Sequence, residues 1–271
     1  MELTESWREN FPEDIQRRYL FAETRDAAAI LAATAPEEFA DLISVLEDFY
    51  LDVDRLVRPG GRKSMIAEDL DTSFRELGWR EARFDQKLET SLHLFRWTQA
   101  PNLEQDAVRT TANEYGGHKI DNVKGRAALD VEWNPKDGNL DRDISNYTAL
   151  YDAGIISVGV IVTRSQDQLR IPVADLVAEV KRISQQFSTD EVGATWATRM
   201  QKTPDNPYGT TTTANFEKLL WRLERGDGRG CPILAIGIGW DTYHEPEDGL
   251  HDEVVSLINR NGGSIPEDDT Q

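Results

Sequence analysis

The chain has 271 residues, is 39% hydrophobic with seven Trp, and carries a net charge of −19. That supports one large core or a core with an appendage; no apolar run approaches the ~20 residues of a membrane span, and the acidic charge sits badly with a broad nucleic-acid-binding surface. The polar start MELTESWREN does not read as a secretory leader, and a single cysteine, Cys231, excludes an internal disulfide and a cysteine-rich zinc site, so a reducing cytoplasm is the expected setting.

Residues 14–33 are rich in strong helix formers and predict a helix. Residues 36–57 predict another, with Phe39, Leu42, Ile43, Leu46, Phe49, Val53 and Leu56 on a 3.6 period, Pro36 in its first turn and Pro59-Gly60-Gly61 as a stop. Helices near 64–77 and 81–97 follow, which makes residues 1–106 a helical region for packing and dimer contact. Residues 107–240 then read as a hairpin (117–134), a helix (140–152) opened by Asn139 or Asp141, a nearly all-apolar strand (154–163), a helix (171–187) and a strand (232–239). Residues 188–215 are polar and read as a long loop, and residues 241–271 read as an acidic, partly disordered tail. The expected fold is α/β (mixed α+β), a mixed sheet flanked by helices.

The hairpin carries the chemistry. A two-residue turn at Gly125-Arg126 sets Asp121 opposite Asp130, about 5 Å away on one face. Alternation places Glu132 on that face too, and turns Ala127, Leu129, Val131 and Trp133 to the other as a buried stripe. Asn122 and Lys124 fit this register less well, which allows a bulge or a longer turn. Three carboxylates on one strand face repel one another and raise a pKa unless a cation joins them. Mg²⁺ prefers such oxygen ligands, and it can polarise a phosphate oxygen and acidify a water for attack on phosphorus. By itself the D-x8-D-x-E spacing is weak and also fits a solvated acidic face.

The flanks add to it. HKID (His118 to Asp121), ALDVEWNPKD (Ala128 to Asp137), LDRD (Leu140 to Asp143), GIISVGVIVTR (Gly154 to Arg164) and the block from Tyr208 to Gly239 resemble the core of the BglII/BstYI-type restriction endonucleases, within the PD-(D/E)xK nuclease superfamily. The resemblance implies a restriction-endonuclease-like core, Mg²⁺, double-stranded DNA as partner, and a homodimer that cuts both strands of a short palindrome. It makes Asp121 and Asp130 the metal-binding acids. Glu132 stands where the wider superfamily has Lys; BamHI-like enzymes have Glu there and BglII-like enzymes Gln. A carboxylate cannot serve as a cationic stabiliser, so Glu132 is expected to orient or deprotonate the attacking water. An upstream-helix residue, Glu89 or Glu104, is a candidate to complete the site.

Asn134 and Lys136 follow the acid strand and by the resemblance face DNA, Asn134 at a base edge and Lys136 at a phosphate or guanine edge. Tyr208 to Thr213 is the candidate major-groove segment, with Thr211 and Thr212 as contacts; a plain polar loop fits these residues equally well. Asp141, Arg142 and Asp143 suit either helix capping and salt bridging or support of a metal or phosphate. His118 alternates away from Asp121 and reads as structural or phosphate-contacting. The glycine-rich run 225–230 lacks the Lys-Ser/Thr of a phosphate loop. Residues 1–106 hold 13 basic against 23 acidic side chains, 107–240 hold 16 against 17, and 241–271 hold 1 against 9, so the core itself is near neutral. Lys119, Lys124, Arg126, Lys136, Arg142 and Arg164 are its candidate basic surface, with Lys119 and Arg142 as DNA contacts. A nuclease of relaxed specificity in repair or phage defence, and a catalytically silent DNA-binding protein, remain open alternatives.

Overall fold

The computed structural model describes residues 1–57, 64–94, 107–189 and 191–261. Two short helices, α1 (Trp7–Asn10) and α2 (Glu13–Arg18), lead into strand β1 (Tyr19–Glu23). Helices α3 (Ala27–Thr34), α4 (Pro36–Asp48), α5 (Val53–Val57) and α6 (Met65–Glu76) follow. Strands β2 (Arg80–His93) and β3 (Ala107–Lys124) form a long ribbon, and β3 turns into β4 (Ala127–Glu132). Then come α7 (Gly138–Asp152), β5 (Val158–Arg164), α8 (Gln166–Gln186), α9 (Glu191–Lys202), α10 (Phe216–Arg225), β6 (Ile233–Ile238) and α11 (Leu250–Asn261).

The six strands make one mixed sheet in the order β1-β6-β5-β4-β3-β2. β4, β5 and β6 run parallel, while β1, β3 and β2 join antiparallel at the two edges. β4, β5 and β6 are buried at every position, because helices cover both faces as parallel strands require. One apolar cluster holds Ala127, Leu129, Val131 and Trp133 with residues of α4, α5, α6 and α8. The other holds Ala128, Ile161 and Ala235 with Leu140, Ile144 and Tyr147 of α7 and Leu219 and Leu223 of α10. Burying a Leu or Val of this kind contributes roughly 1.5–3 kcal/mol. The stripe expected on β4 is therefore a core stripe, and its alternate face is turned under α7.

Five expectations are corrected. The described part of the helix expected over 81–97 is a strand: β2 alternates Ala82, Phe84, Leu88 and Leu92 with charged neighbours, and pairing with β3 overrides a helix-like composition; residues 95–97 lie outside the described residues. The helix expected over 14–33 is broken by β1, whose residues Tyr19 to Glu23 pair with Ile238 to Leu234 of β6. The loop expected over 188–215 contains α9, held by buried Trp196 and Met200 one turn apart and by a 2.9 Å bond from Trp196 Nε1 to Ser184 Oγ. The tail contains α11, which buries Val254, Leu257 and Ile258 at helical spacing. α8 begins five residues earlier than expected despite Pro172, because Ser165 caps it by accepting from the Gln168 N–H at 3.1 Å.

Candidate active site

The turn forms where the sequence places it. Gly125 has φ +49°, the positive value that a hairpin turn of this type needs at its first residue. A side chain there would also run into Glu38 of α4. β3 and β4 pair as Asn122↔Leu129, Val123↔Ala128 and Lys124↔Ala127. One step further sets Asp121 opposite Asp130, and the Asp121 N–H donates to Asp130 Oδ1 at 2.9 Å. The bulge is real and lies on the other side of β3. Two residues, Asp121 and Asn122, sit opposite the single Glu81 of β2, between the pairs Ala82↔Ile120 and Arg80↔Val123. Bulges re-aim side chains and recur beside active sites. Asn122, fully buried, turns inward and donates to Asp71 Oδ1 at 2.8 Å.

Asp130 and Glu132 share the face under α7 and are 2% and 5% exposed. α7 adds Arg142, Asp143 and Tyr147, with Asp143 and Tyr147 fully buried. Asp143 and Tyr147 lie four residues apart and so face the same way. Burial pushes Asp130 well above the ordinary carboxylate range, and the charge of Asp143 adds to this. Burial also pushes Glu132 up to about 10, reinforced by its hydrogen bond to Asp143 and by that residue's charge. Asp143 is itself raised by burial, while its bonds to Glu132 and Arg142 pull the other way. Glu132 thus keeps the proton that the pair shares. Among the described residues, the cation in contact is Arg142, which donates to Asp143 Oδ1 at 2.9 Å and to Glu132 Oε1 at 3.3 Å.

Tyr147 Oη lies 2.6 Å from Asp130 Oδ2 and 2.8 Å from the Val160 carbonyl. A phenol has one proton for these two oxygens. Both contacts are satisfied when Asp130 holds a proton and donates to Tyr147, while Tyr147 donates to Val160. Burial, which raises the pKa of Asp130 well above the ordinary carboxylate range, favours that protonated form.

Among the described residues, no three His, Cys, Asp or Glu groups converge closely enough to enclose an ion. The donor set nevertheless fits a hard divalent cation, being all carboxylate oxygen, and Asp143 Oδ2 is buried without a hydrogen-bond donor. Without such an ion, burial raises the pKa of Asp130, Glu132 and Asp143 alike.

The two segments expected to face DNA are side by side. Lys136 bridges Thr213 as in a short sheet, Asp137 N–H donates to Thr212 O at 3.1 Å, and Ala214 N–H donates to Pro135 O at 2.9 Å. Lys218 of α10 donates to the carbonyls of Thr211 and Thr213 at 2.5 and 2.9 Å. Arg164 at the end of β5 donates to Asn134 Oδ1 at 2.9 Å and to Thr213 Oγ1 at 2.8 Å. Asn134, Lys136, Thr211 and Thr212 are all exposed.

Most of the expected basic surface is already engaged. Lys119 pairs with Glu81 on the ribbon, Lys124 with Glu37 and Asp41, and Arg142 with the acids. Arg126 bonds Ser157, and Arg164 is buried. Lys136 is the one of the six whose side chain has no partner among the described residues. Asp141 pairs with Arg222 at 2.8 Å, and the residue at the start of α7 is Asp137, so neither Asn139 nor Asp141 caps it. Glu89 lies exposed on strand β2 rather than on an upstream helix, and Glu104 falls outside the described residues. The bulge at Gly117-His118, opposite Phe84, brings the charge of His118 to bear on Asp143, on the site side of β3. Tyr147 was missed by sequence reasoning; its signal was the spacing Asp143-x-x-x-Tyr147 on the helix that follows the acid strand.

The mixed sheet, with Asp130 and Glu132 of its central hairpin buried beneath α7, is consistent with a restriction-endonuclease-like core. The profile of the restriction endonuclease BglII/BglIII family matches residues 19–238, and the chain belongs to that family. No curated protein sequence matches the chain.

Proposed function

We propose that the protein is a Type II restriction endonuclease that hydrolyses phosphodiester bonds at a short palindromic site in double-stranded DNA, with Mg²⁺, as a homodimer, leaving 5′-phosphates. The observation that carries this is Asp121 set opposite Asp130, with Glu132 on the same buried face, in a chain of a restriction endonuclease family. Asp121 and Asp130 are the residues that would hold the ion. Bound there, Mg²⁺ supplies charge to polarise a phosphate oxygen and to acidify a water.

The chain's own groups do the rest. The Asp121 N–H and Tyr147 fix the two oxygens of Asp130, which keeps that carboxyl from rotating. Arg142 and Asp143 hold Glu132 in place to orient the water or take its proton. Glu132 can act as a base only after it has lost the proton that it keeps in the metal-free site. Asn134, Lys136, Thr211 and Thr212 present donors and methyl groups toward base edges and phosphates, and Lys119 and Arg142 can exchange a carboxylate partner for a phosphate.

Incubating the protein with unmethylated phage DNA, with Mg²⁺ or with EDTA, tests this on a gel. Discrete fragments in Mg²⁺ alone support the proposal, and their sequenced ends give the site. A smear would replace it with a nuclease of relaxed specificity. Intact DNA in both lanes, together with a gel shift, would make it a silent DNA-binding protein.

A further inference from the structure

We infer that Arg164 sets the hydrogen-bond polarity of the DNA-reading surface, so that Asn134 presents a donor and reads an acceptor atom on a base edge in the major groove. The inference rests on the restriction-endonuclease reading and concerns which atoms that site recognises.

Arg164 ends β5 with no solvent exposure, stacked on the buried Tyr208 ring with its Cζ 4.7 Å from the ring centroid. Its Nε donates to Asn134 Oδ1 and its Nη2 to Thr213 Oγ1, so one side chain ties both DNA-facing segments. A guanidinium has donors and no acceptor. The amide atom of Asn134 that faces it is therefore the oxygen, and the flipped orientation is excluded. Asn134 is exposed, and its Nδ2 meets no protein acceptor among the described residues. The oxygen is taken up in a charge-assisted bond at the floor, and the amino group is what remains to be presented.

A purely structural role explains Arg164 poorly. No carboxylate forms an ion pair with it among the described residues, and its Nη1 is buried without a partner. Burying such a cation is costly, and an apolar residue would brace the loop at less cost. What an apolar residue could not do is orient an amide and a hydroxyl together. Reading adenine through two bonds would need the second lone pair of Oδ1, which is held down toward Arg164, whereas Nδ2 keeps both of its donors. The atoms that suit Asn134 Nδ2 are purine N7, guanine O6 and thymine O4.

The test uses oligonucleotides carrying the site found by sequencing fragment ends. Each position is replaced by an analogue that deletes one major-groove acceptor (7-deazapurines, 2-aminopurine for guanine, a 4-deoxy pyrimidine for thymine) or one donor (deoxynebularine for adenine, a 4-deamino pyrimidine for cytosine). Cleavage by the wild type is compared with Asn134→Ala, a surface change, and with Arg164→Lys, which keeps the charge but loses the fork. One acceptor deletion should lower wild-type kcat/KM roughly 3–10-fold and have no effect in Asn134→Ala. In Arg164→Lys that penalty, and the preference for the site over sites with one base pair changed, should both shrink, a readout that simple bracing would not move. If Arg164→Lys does not fold, the Asn134→Ala comparison decides alone. A discrete site where the penalty tied to Asn134 belongs to a donor deletion, or where none is tied to it, overturns the inference and leaves the function standing. If no discrete site exists, both fall.

Discussion

Replacing Glu132 with Gln should stabilise the metal-free protein, and by an amount that grows with pH. Gln imitates a protonated Glu: its oxygen can accept from Arg142, as Glu132 Oε1 does at 3.3 Å, and its amide can donate to Asp143. In the wild type the proton is held against the solvent. Burial, then Asp143, pushes Glu132 up to about 10, from an ordinary value of 4.5. The sign follows from which state binds the proton. Below 4.5 both folded and unfolded chains hold it, and the site costs nothing by this route. Between 4.5 and about 10 the unfolded chain has released it and the folded chain has not, so folded stability falls as pH rises. Each pH unit in that window costs at most about 1.4 kcal/mol, so at pH 7.5 the penalty reaches about 4 kcal/mol. The variant escapes it. Thermal unfolding in EDTA at pH 5.5 and pH 7.5 measures the difference, and for a chain of this size each 1 kcal/mol moves Tm by roughly 2–4 °C. Glu132→Gln should melt several degrees higher at pH 7.5, with the gap narrowing to about a third at pH 5.5. A variant less stable than the wild type at pH 7.5, or a gap that does not change with pH, would refute the shared-proton site.

Further outcomes follow from the same geometry. Asp130→Ala should abolish cleavage while DNA binding remains measurable in a gel shift; normal cleavage by this variant would remove Asp130 from the site. Tyr147→Phe keeps the ring in the core and deletes the hydroxyl that holds Asp130, so kcat should fall with little change in KM, and stability should drop by about 1 kcal/mol. Mg²⁺ titrated into unbuffered protein should release protons, since the acids must give theirs up to ligate; a titration without release would show that they were already ionised. Lys136→Ala should weaken DNA binding and lower the salt dependence of its affinity by about one counterion, while a base-edge role would instead relax specificity at one position.

The site was legible at the scale of a single hairpin and opaque beyond it. Gly125 punctuates two strand-like runs, and that alone fixed the partner of Asp121, because an antiparallel register follows from its turn. The irregularity around Asn122 was visible as a break in alternation. What β4 faces was not visible. Its alternate residues read as a carboxylate face open to a metal or to solvent, and they are buried because α7 returns across them. Nothing local says that a helix eight residues on will cover a strand's polar side. β2 failed for a related reason: its charges favour a helix in isolation, and only the long partner β3 makes strand the better solution. α11 was misread because the acidity of the tail outweighed Val254, Leu257 and Ile258, three residues whose spacing was a sufficient signal. The cations were misjudged in the opposite direction. Sequence shows that a Lys or Arg is present, but only the fold shows whether a carboxylate already holds it.

That last point bears on how a chain of net charge −19 can belong to a family that acts on DNA. Of the six candidate basic residues picked out in the core sequence, five are engaged with partners among the described residues, so that part of the surface offers phosphates little charge that is not already spoken for. Non-specific affinity, which depends on neutralising many phosphates at once, should therefore be weak. Arg142 is the exception in kind: it is partly exposed, and it is the cation that offsets Glu132 and Asp143. A divalent cation at the acids would take over that task and leave Arg142 able to turn to a phosphate. In that arrangement metal and DNA would favour each other's binding through a single side chain, since the phosphate would draw Arg142 from the acids and the cation would replace its charge there. Under the function proposed above, such an enzyme would discriminate by requiring metal, DNA and matched bases together, and its overall acidity would disfavour binding modes that lack any one of them.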